Sequence, residues 1–434
     1  MNSAHHPKRL RGLLPLAGLA AALLAGNAAA ESLPQAWDTA LGVDRGLKAA
    51  RENTGAAESL LEAARSSSLP SVSLEAGYIA LDKTPAFRAD LLGQSLQMPM
   101  AQQDSAAYKA MATLPLYTGG RIERGIDAAA AGLEAARLGE TADVQNLKLR
   151  VADAYVNGLR AGRMLKVAES HVESLSAHAR DVGNLHEQGM VARSDLLSVR
   201  VALADARQKA LQAANALDLA RAAYNRLLGR PLDQAVSLDE LAPDAGRVPL
   251  ARLTERALVQ RSELAALAGQ IEALRHQAAA VRGENRPQIA LSGGYGYQQN
   301  RYQVHEGQWM VTLGARWNVF DGGVAGHRAG AVERQAAALT EQREELASVV
   351  ALQVRQTWLD VEETGKRIEV TRSAIDQAEE NLRVVRDRYA NGLSTHTEVL
   401  DAETLRVNSE ANHAAAHYDA ALAGLRLKRA VGDL

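Results

Sequence analysis

The 434-residue chain contains no cysteine. Disulfides, thiolate metal sites and a lipidated N-terminal cysteine are all excluded. Aromatic residues make up only 4%, with two phenylalanines. So few rings, beside so much alanine, favour long helices over a bulky globular core. Beyond residue 30 no run of 18 consecutive apolar residues occurs, so no helix spans a bilayer. Positive charge is not in excess either. The first thirty residues hold three basic and no acidic side chains, which leaves 46 basic against 51 acidic, a net charge near −5. That balance argues against nucleic acid as a partner, because phosphate binding needs local excess Lys and Arg.

The signatures of catalysis are missing as well. No HExxH pattern occurs, and His413 and His417, spaced i to i+4, lack a third ligand, so they read as solvent-facing. No Ser-His-Asp set can be inferred. Gly119-Gly120 and Gly322-Gly323 lack the Lys-Ser/Thr ending and the spacing of a phosphate cradle, and read as strand-to-helix junctions. The chain is expected to be no enzyme, with no cofactor and no metal.

What is present begins with an export signal over 1–30. Lys8, Arg9 and Arg11 precede an apolar core at 13–24, and Ala28-Ala29-Ala30 offers a cleavage site before Glu31. The apolar core is about half the roughly 20 residues of a membrane span. Cleavage leaves 404 residues, 31 to 434. An exported chain without an apolar helix belongs in the periplasm or beyond, or in an outer-membrane β-barrel.

The mature chain repeats itself. Trp37-Asp38-Thr39-Ala40-Leu41 parallels Thr254-Glu255-Arg256-Ala257-Leu258 at an offset of 217, and Tyr78 parallels Tyr295. From Tyr117-Thr118-Gly119-Gly120 and Phe320-Asp321-Gly322-Gly323 onward the offset is 203. The 14-residue difference places a longer loop in the first hairpin. Two tandem units follow, 31–229 and 251–434, joined by a linker at 230–250. Each holds a helix, a β-hairpin (71–117 and 288–320), a long helix (120–183 and 323–390) and a shorter one (194–228 and 395–431). No proline occurs over 116–230 or 288–434, so nothing breaks helices there. Val144, Leu147, Val151 and Ala154, then Ile375, Ala378, Leu382, Val385 and Tyr389, step by 3 and 4 as in a coiled-coil seam. Each long helix spans about 100 Å. Gly189 and Gly392 suit a left-handed helix end, with Ser194, and Ser394 or Thr395, as caps for the next helix.

Between the helices the pattern has period two. Val72, Leu74, Ala76, Tyr78 and Ala80 share one face, and Trp309, Val311, Leu313, Ala315, Trp317 and Val319 share another. An apolar face backed by a polar one over about ten residues fits a strand between outer-membrane lipid and a water-filled lumen. A buried sheet of a soluble protein gives the same alternation, but this chain has little apolar surface left to cover one. Four strands cannot close a barrel, so two or three copies must share it.

These features resemble the TolC-type outer-membrane factors over residues 31–434. The resemblance rests on the duplication, on Pro115-Leu116-Tyr117-Thr118-Gly119-Gly120-Arg121 with Trp317-Asn318-Val319-Phe320-Asp321-Gly322-Gly323, and on Arg388-Tyr389-Ala390-Asn391-Gly392-Leu393 followed by Glu398-Val399-Leu400-Asp401-Ala402. It implies a mixed α/β membrane protein: a homotrimer whose twelve strands form one outer-membrane barrel, continued by a helical coiled-coil tunnel in the periplasm. Its function would be a passive exit duct for efflux or type I secretion, served by a periplasmic adaptor and an inner-membrane RND, ABC or MFS-type transporter. The adaptor would dock at the tips around Gln188, Gly189, Asn391 and Gly392. The gate would comprise Glu398 and Asp401 with Tyr389, Asp195 and Ser394. Ser394 stands where the family often has Arg, so other pairs, such as Arg193, Arg386 or Arg388 with Asp195 or Asp401, are candidates for holding the closed state. A periplasmic coiled-coil scaffold or adaptor is the alternative, and it leaves the strands unexplained.

Residues 82–107, with Pro85, Lys83, Arg88, Asp90, Pro99 and Asp104, are expected to face the cell exterior. An epitope inserted near Pro85 is expected to be detected on intact cells. Detection only after permeabilising the outer membrane would reverse that orientation.

Overall fold

A computed structural model of the chain describes residues 30–91, 93–243 and 248–434. The expected signal, apart from Ala30, and part of the expected linker lie outside the described residues. The first half runs α1 (Leu33–Val43), α2 (Arg45–Ser66), β1 (Ser71–Ala80), β2 (Ala86–Leu91), β3 (Gln94–Pro99), β4 (Asp104–Tyr117), α3 (Arg121–Glu187) and α4 (Arg193–Leu227). The second runs α5 (Leu250–Gln260), α6 (Ser262–Gly283), β5 (Gln288–Gln298), β6 (Gly307–Arg316), α7 (Val324–Ala390) and α8 (His396–Val431). Starting residues 33, 45 and 71 recur 217 later at 250, 262 and 288, and 121 and 193 recur 203 later at 324 and 396.

Two local features differ from the sequence reading. A pair of helices, instead of one, precedes each hairpin. Asp44 (φ −58°, ψ 125°) and Arg261 (φ −64°, ψ 114°) each interpose one extended residue that turns the chain. The 14 extra residues do not form a plain loop. β2 and β3 pair antiparallel, Phe87 opposite Met98 and Ala89 opposite Leu96, and β4 starts at Asp104.

By compactness the chain divides into two units, each drawing on both halves. One takes in 45–147, 247–359 and 426–434. Its four-stranded antiparallel sheet has the order β1-β4-β5-β6. The register places Leu74, Ala110, Tyr295 and Trp309 in one row, and Ser73, Met111, Gly294 and Met310 in the next row on the opposite face. Val72, Leu74, Trp309 and Val311 remain 77–80% exposed. Rings gather on this face: Tyr295 lies 5.4 Å from Trp309, and Tyr108 stacks on Tyr297 at 4.8 Å. In the same unit Leu253, Ala257, Leu264, Val350, Val354, Ala430 and Val431 form a core, with Trp358 against it. Arg261, 7% exposed, is accepted there because Glu263 and the carbonyl of Ala430 take its N–H groups.

The second unit takes in 148–246 and 360–425 with the residues up to Asp44, as far as these are described. Val156, Tyr418 and Leu422 form a core with Leu159 and Leu241. The chain start is clamped to it. Glu31 receives both Arg230 nitrogens at 2.7 and 2.8 Å and the Tyr224 hydroxyl at 2.9 Å, while Tyr155 donates to the carbonyls of Glu31 and Asp239, both at 2.7 Å. Arg230 holds the Glu31 carboxyl below its ordinary range. Along the seam Ala378, Leu382 and Val385 are buried, whereas Ile375 and Tyr389 are half-buried. His413, expected in solvent, is half-buried, with Nδ1 3.1 Å from Thr371 Oγ1.

The strand-to-helix junctions turn on glycine. Gly119 (φ +68°) and Gly322 (φ +69°) both sit in left-handed conformation. A Cβ on Gly119 would lie 2.6 Å from both the Gly283 carbonyl oxygen and Arg286 Cβ, whereas one on Gly322 meets nothing within 4 Å. Thr118 and Asp321 then cap α3 and α7 by accepting backbone N–H groups. Alanine at Gly322 is expected to cost about 1–2 kcal/mol, the left-handed penalty alone. Alanine at Gly119 is expected to cost at least about 1 kcal/mol more, because backbone has to move. Unfolding midpoints in detergent check this, and equal losses would contradict it.

Candidate functional site

Both long helices end in the same turn. At the end of α3 the N–H of Gly189 donates to His186 O at 2.9 Å, and that of Met190 to Leu185 O at 2.8 Å. At the end of α7 the N–H of Gly392 donates to Tyr389 O at 3.0 Å, and that of Leu393 to Arg388 O at 2.8 Å. This closure requires positive φ at one residue, and Gly189 (+72°) and Gly392 (+71°) supply it. Gln188 and Asn391 sit exposed on the two turns.

The returning helices start differently. Ser194 does not cap α4: Ala192 is the N-cap residue, and Ser194 lies inside the first turn. In the second turn Thr395 does cap. The N–H of Glu398 donates to Thr395 Oγ1 at 3.3 Å, while the Glu398 carboxylate accepts from Thr395 Oγ1 at 3.0 Å and from Ser394 Oγ at 2.7 Å. Ser394, then Thr395, holds the exposed Glu398 carboxyl below its usual range. Asp401 is exposed, one turn on along α8.

Tyr389 and Asp195 are half-buried and line one cleft of about 740 Å³ with Met190, Ser394 and His396. Burial, then the charge of Asp195, raises the Tyr389 hydroxyl. That hydroxyl has no hydrogen-bond partner. Its ring stands edge-on to His178, centroids 5.6 Å apart.

The arginines near the turns are engaged otherwise than the sequence suggested. Arg386 binds neither Asp195 nor Asp401. It bonds to the Glu403 carboxylate and to Ser174 Oγ, and Ser174 also donates to Glu403 at 2.6 Å. Arg388 donates to the carbonyl of Leu393 at 3.1 Å. Glu403 is fully buried, with Arg406 3.5 Å from its other oxygen and His171 at 3.9 Å. Ser174, Arg386 and Glu403 therefore tie α3 to α7 and α8. The duplication hides this set, since the counterpart of Glu403 at the 203 offset is the exposed Arg200. One sign was available: Val399, Glu403 and Arg406 step by 4 and 3, as seam residues do. Among the described residues no three His, Cys, Asp or Glu side chains gather to hold a metal ion, and no helix is long and apolar enough to cross a membrane.

Comparison with known proteins agrees with this architecture. The profile of outer membrane efflux proteins matches residues 36–230 and 253–433. Outer membrane protein TolC of Escherichia coli (strain K12) is 23% identical over 98% of this chain and 87% of its own length. Among solved structures, the outer-membrane channel OprN superposes with a TM-score of 0.78 at 20% identity, covering 93% of this chain and 90% of that one. The outer membrane protein VceC from Vibrio cholerae gives 0.78 at 18%, covering 92% and 96%. The two matched stretches take in both duplicated halves, strands and helices together, and the chain belongs to the outer membrane efflux protein family.

Proposed function

We propose that three copies of this chain close one twelve-stranded barrel and form the exit duct of a tripartite export system, with the helix turns as its periplasmic mouth. The observation that carries the reading is the four-stranded sheet. It has one exposed apolar face, and the outer edges of β1 and β6 have no strand partner among the described residues. Such edges in lipid need further strands, and identical copies supply them by pairing β6 of one with β1 of the next.

The polar face, with Ser73, Thr113, Ser292, Gln308, Thr312 and Arg316, then lines the lumen. The duct supplies no energy, so an inner-membrane transporter of RND, ABC or MFS type drives export through a periplasmic adaptor. Gln188, Gly189, Asn391 and Gly392 offer that adaptor two copies of one exposed turn per chain. Cysteines introduced as Gln188→Cys or Asn391→Cys are expected to crosslink to an adaptor in cells. Crosslinks confined to the middle of α3 and α7 would move the docking site.

At the mouth, three copies bring six carboxylates from Glu398 and Asp401. Ser394 and Thr395 keep Glu398 ionised, and gathered carboxylates favour cations. Tyr389 and Asp195 border the cleft behind them. The experiment is a planar-bilayer recording on an oligomer shown by native mass to hold three chains. Glu398→Ala with Asp401→Ala is expected to weaken cation selectivity and divalent block severalfold. Unchanged selectivity and block in the assembled trimer would remove these residues from the gate.

A further inference from the structure

Beside the Ser174–Arg386–Glu403 tie lies a second contact between α3 and α8. His178 and His396 are 5% and 6% exposed. Their rings stack within 12° of parallel, centroids 5.5 Å apart, and His178 Nε2 lies 3.3 Å from His396 Nδ1. A bond across that distance needs one N–H and one lone pair. Two protonated rings would instead point N–H at N–H inside a space with almost no water.

Charged and titratable groups reach this pair from every element around it. α3 brings Asp181, α4 brings Asp195, α7 brings Arg386 and Tyr389, and α8 brings Glu403. Glu403, Asp181 and Asp195 favour a charged imidazole, whereas Arg386 opposes one on His178. Burial outweighs them all. It is the largest cause that brings His178 down to about 4, and it also holds His396 and His171 below the ordinary imidazole value.

On the reading of this end as the channel's gate, we propose that His178 and His396 form a proton-operated latch, holding α3 against α8 while neutral and releasing it when acid reaches the tip. The sign follows from linkage. A depressed histidine stabilises the closed packing fully above 6.5, and that contribution is lost as the pH falls toward 4. A loosened tip that hydrates His178 takes up the proton first. For His178 alone the closed-to-loosened ratio falls by at most about thirtyfold between pH 7.5 and 5.0. Glu398, held below its usual range, stays ionised over that span, so its charge does not drive the change.

Two measurements on the full-length oligomer test this. In planar bilayers with the tip side taken from pH 7.5 to 5.0, open probability is expected to rise severalfold. His178→Gln with His396→Gln is expected to abolish the response. His396→Arg, which places a permanent charge in the pair, is expected to behave at pH 7.5 as the unaltered protein does at 5.0. Hydrogen exchange over 174–182 and 385–399, corrected for intrinsic rates, is expected to accelerate in acid in the unaltered protein and not in the Gln pair. A flat response from 7.5 to 5.0, or a full response kept by the Gln pair, overturns the latch. If no pore forms, the gate reading fails, and the exchange data alone still decide whether acid releases α3 from α8.

Discussion

A strand edge in hydrocarbon leaves every outward N–H and C=O without water, at several kcal/mol for each unsatisfied group. This sheet has two such edges, on β1 and β6. The extra hairpin does not extend them: among the described residues β2 and β3 form a separate two-stranded sheet. On the proposed reading, assembly is a condition of membrane insertion, and the duplication is what makes it economical. Each half contributes one hairpin, a strand pair leading out of and back to helices. A second hairpin doubles the wall each copy builds, so fewer copies close the ring.

The halves have not stayed equivalent. Their turns close with the same backbone bonds, yet Thr395 caps one returning helix through its hydroxyl while Ala192 starts the other without a side-chain bond. Glu403 is buried where Arg200 is exposed, and His396 is buried where Arg193 is exposed. Burying a carboxylate is costly unless it is paired and hydrogen-bonded. Here Ser174 and Arg386, each from a different helix, bond one carboxylate oxygen, and the Arg406 guanidinium stands 3.5 Å from the other, which accepts no hydrogen bond. On the returning helices the first half leaves Arg193 and Arg200 in solvent, whereas the second folds His396 and Glu403 inward. Contacts between the helix pairs thus depend on side chains that have no counterpart across the repeat.

Much of this is legible in the sequence, and the reasons are local. Proline-free stretches with apolar steps of 3 and 4 locate α3, α4, α7 and α8 to within a few residues, because helix geometry maps directly onto spacing. Alternation locates β1 and β6 for the same reason. The hairpin β2–β3 was not visible. Pro85, Pro99 and the polar residues between them read as loop, and only cross-strand pairs such as Phe87 with Met98 make strands of them. The break at Arg261 carries neither glycine nor proline, and at Asp44 the flanking Gly42 and Gly46 both lie inside helices, so local sequence does not locate the turn. Ser194 looked like a cap, but the helix begins one residue earlier. Most of the tip network was hidden because its partners lie far apart in sequence. Arg386 and Glu403 are 17 positions apart, and Ser174 is 229 from Glu403. A charge read alone is assigned to water, and only tertiary contact shows otherwise.

The clamp on Glu31 has a consequence for the order in which the molecule comes together. Its partners are Tyr155, Tyr224, Arg230 and the 237–239 segment, between 124 and 208 positions further on. As synthesis proceeds, this early segment meets its first partner only 124 residues later and its last 208 residues later. Contacts of such long sequence separation form late and slowly. The α3–α4 hairpin, whose contacts are closer in sequence, is free to form ahead of it. Residue 31 then acts as a closing stitch, drawn tight after the first half is complete. A chain interrupted before residue 239 would leave that stitch untied.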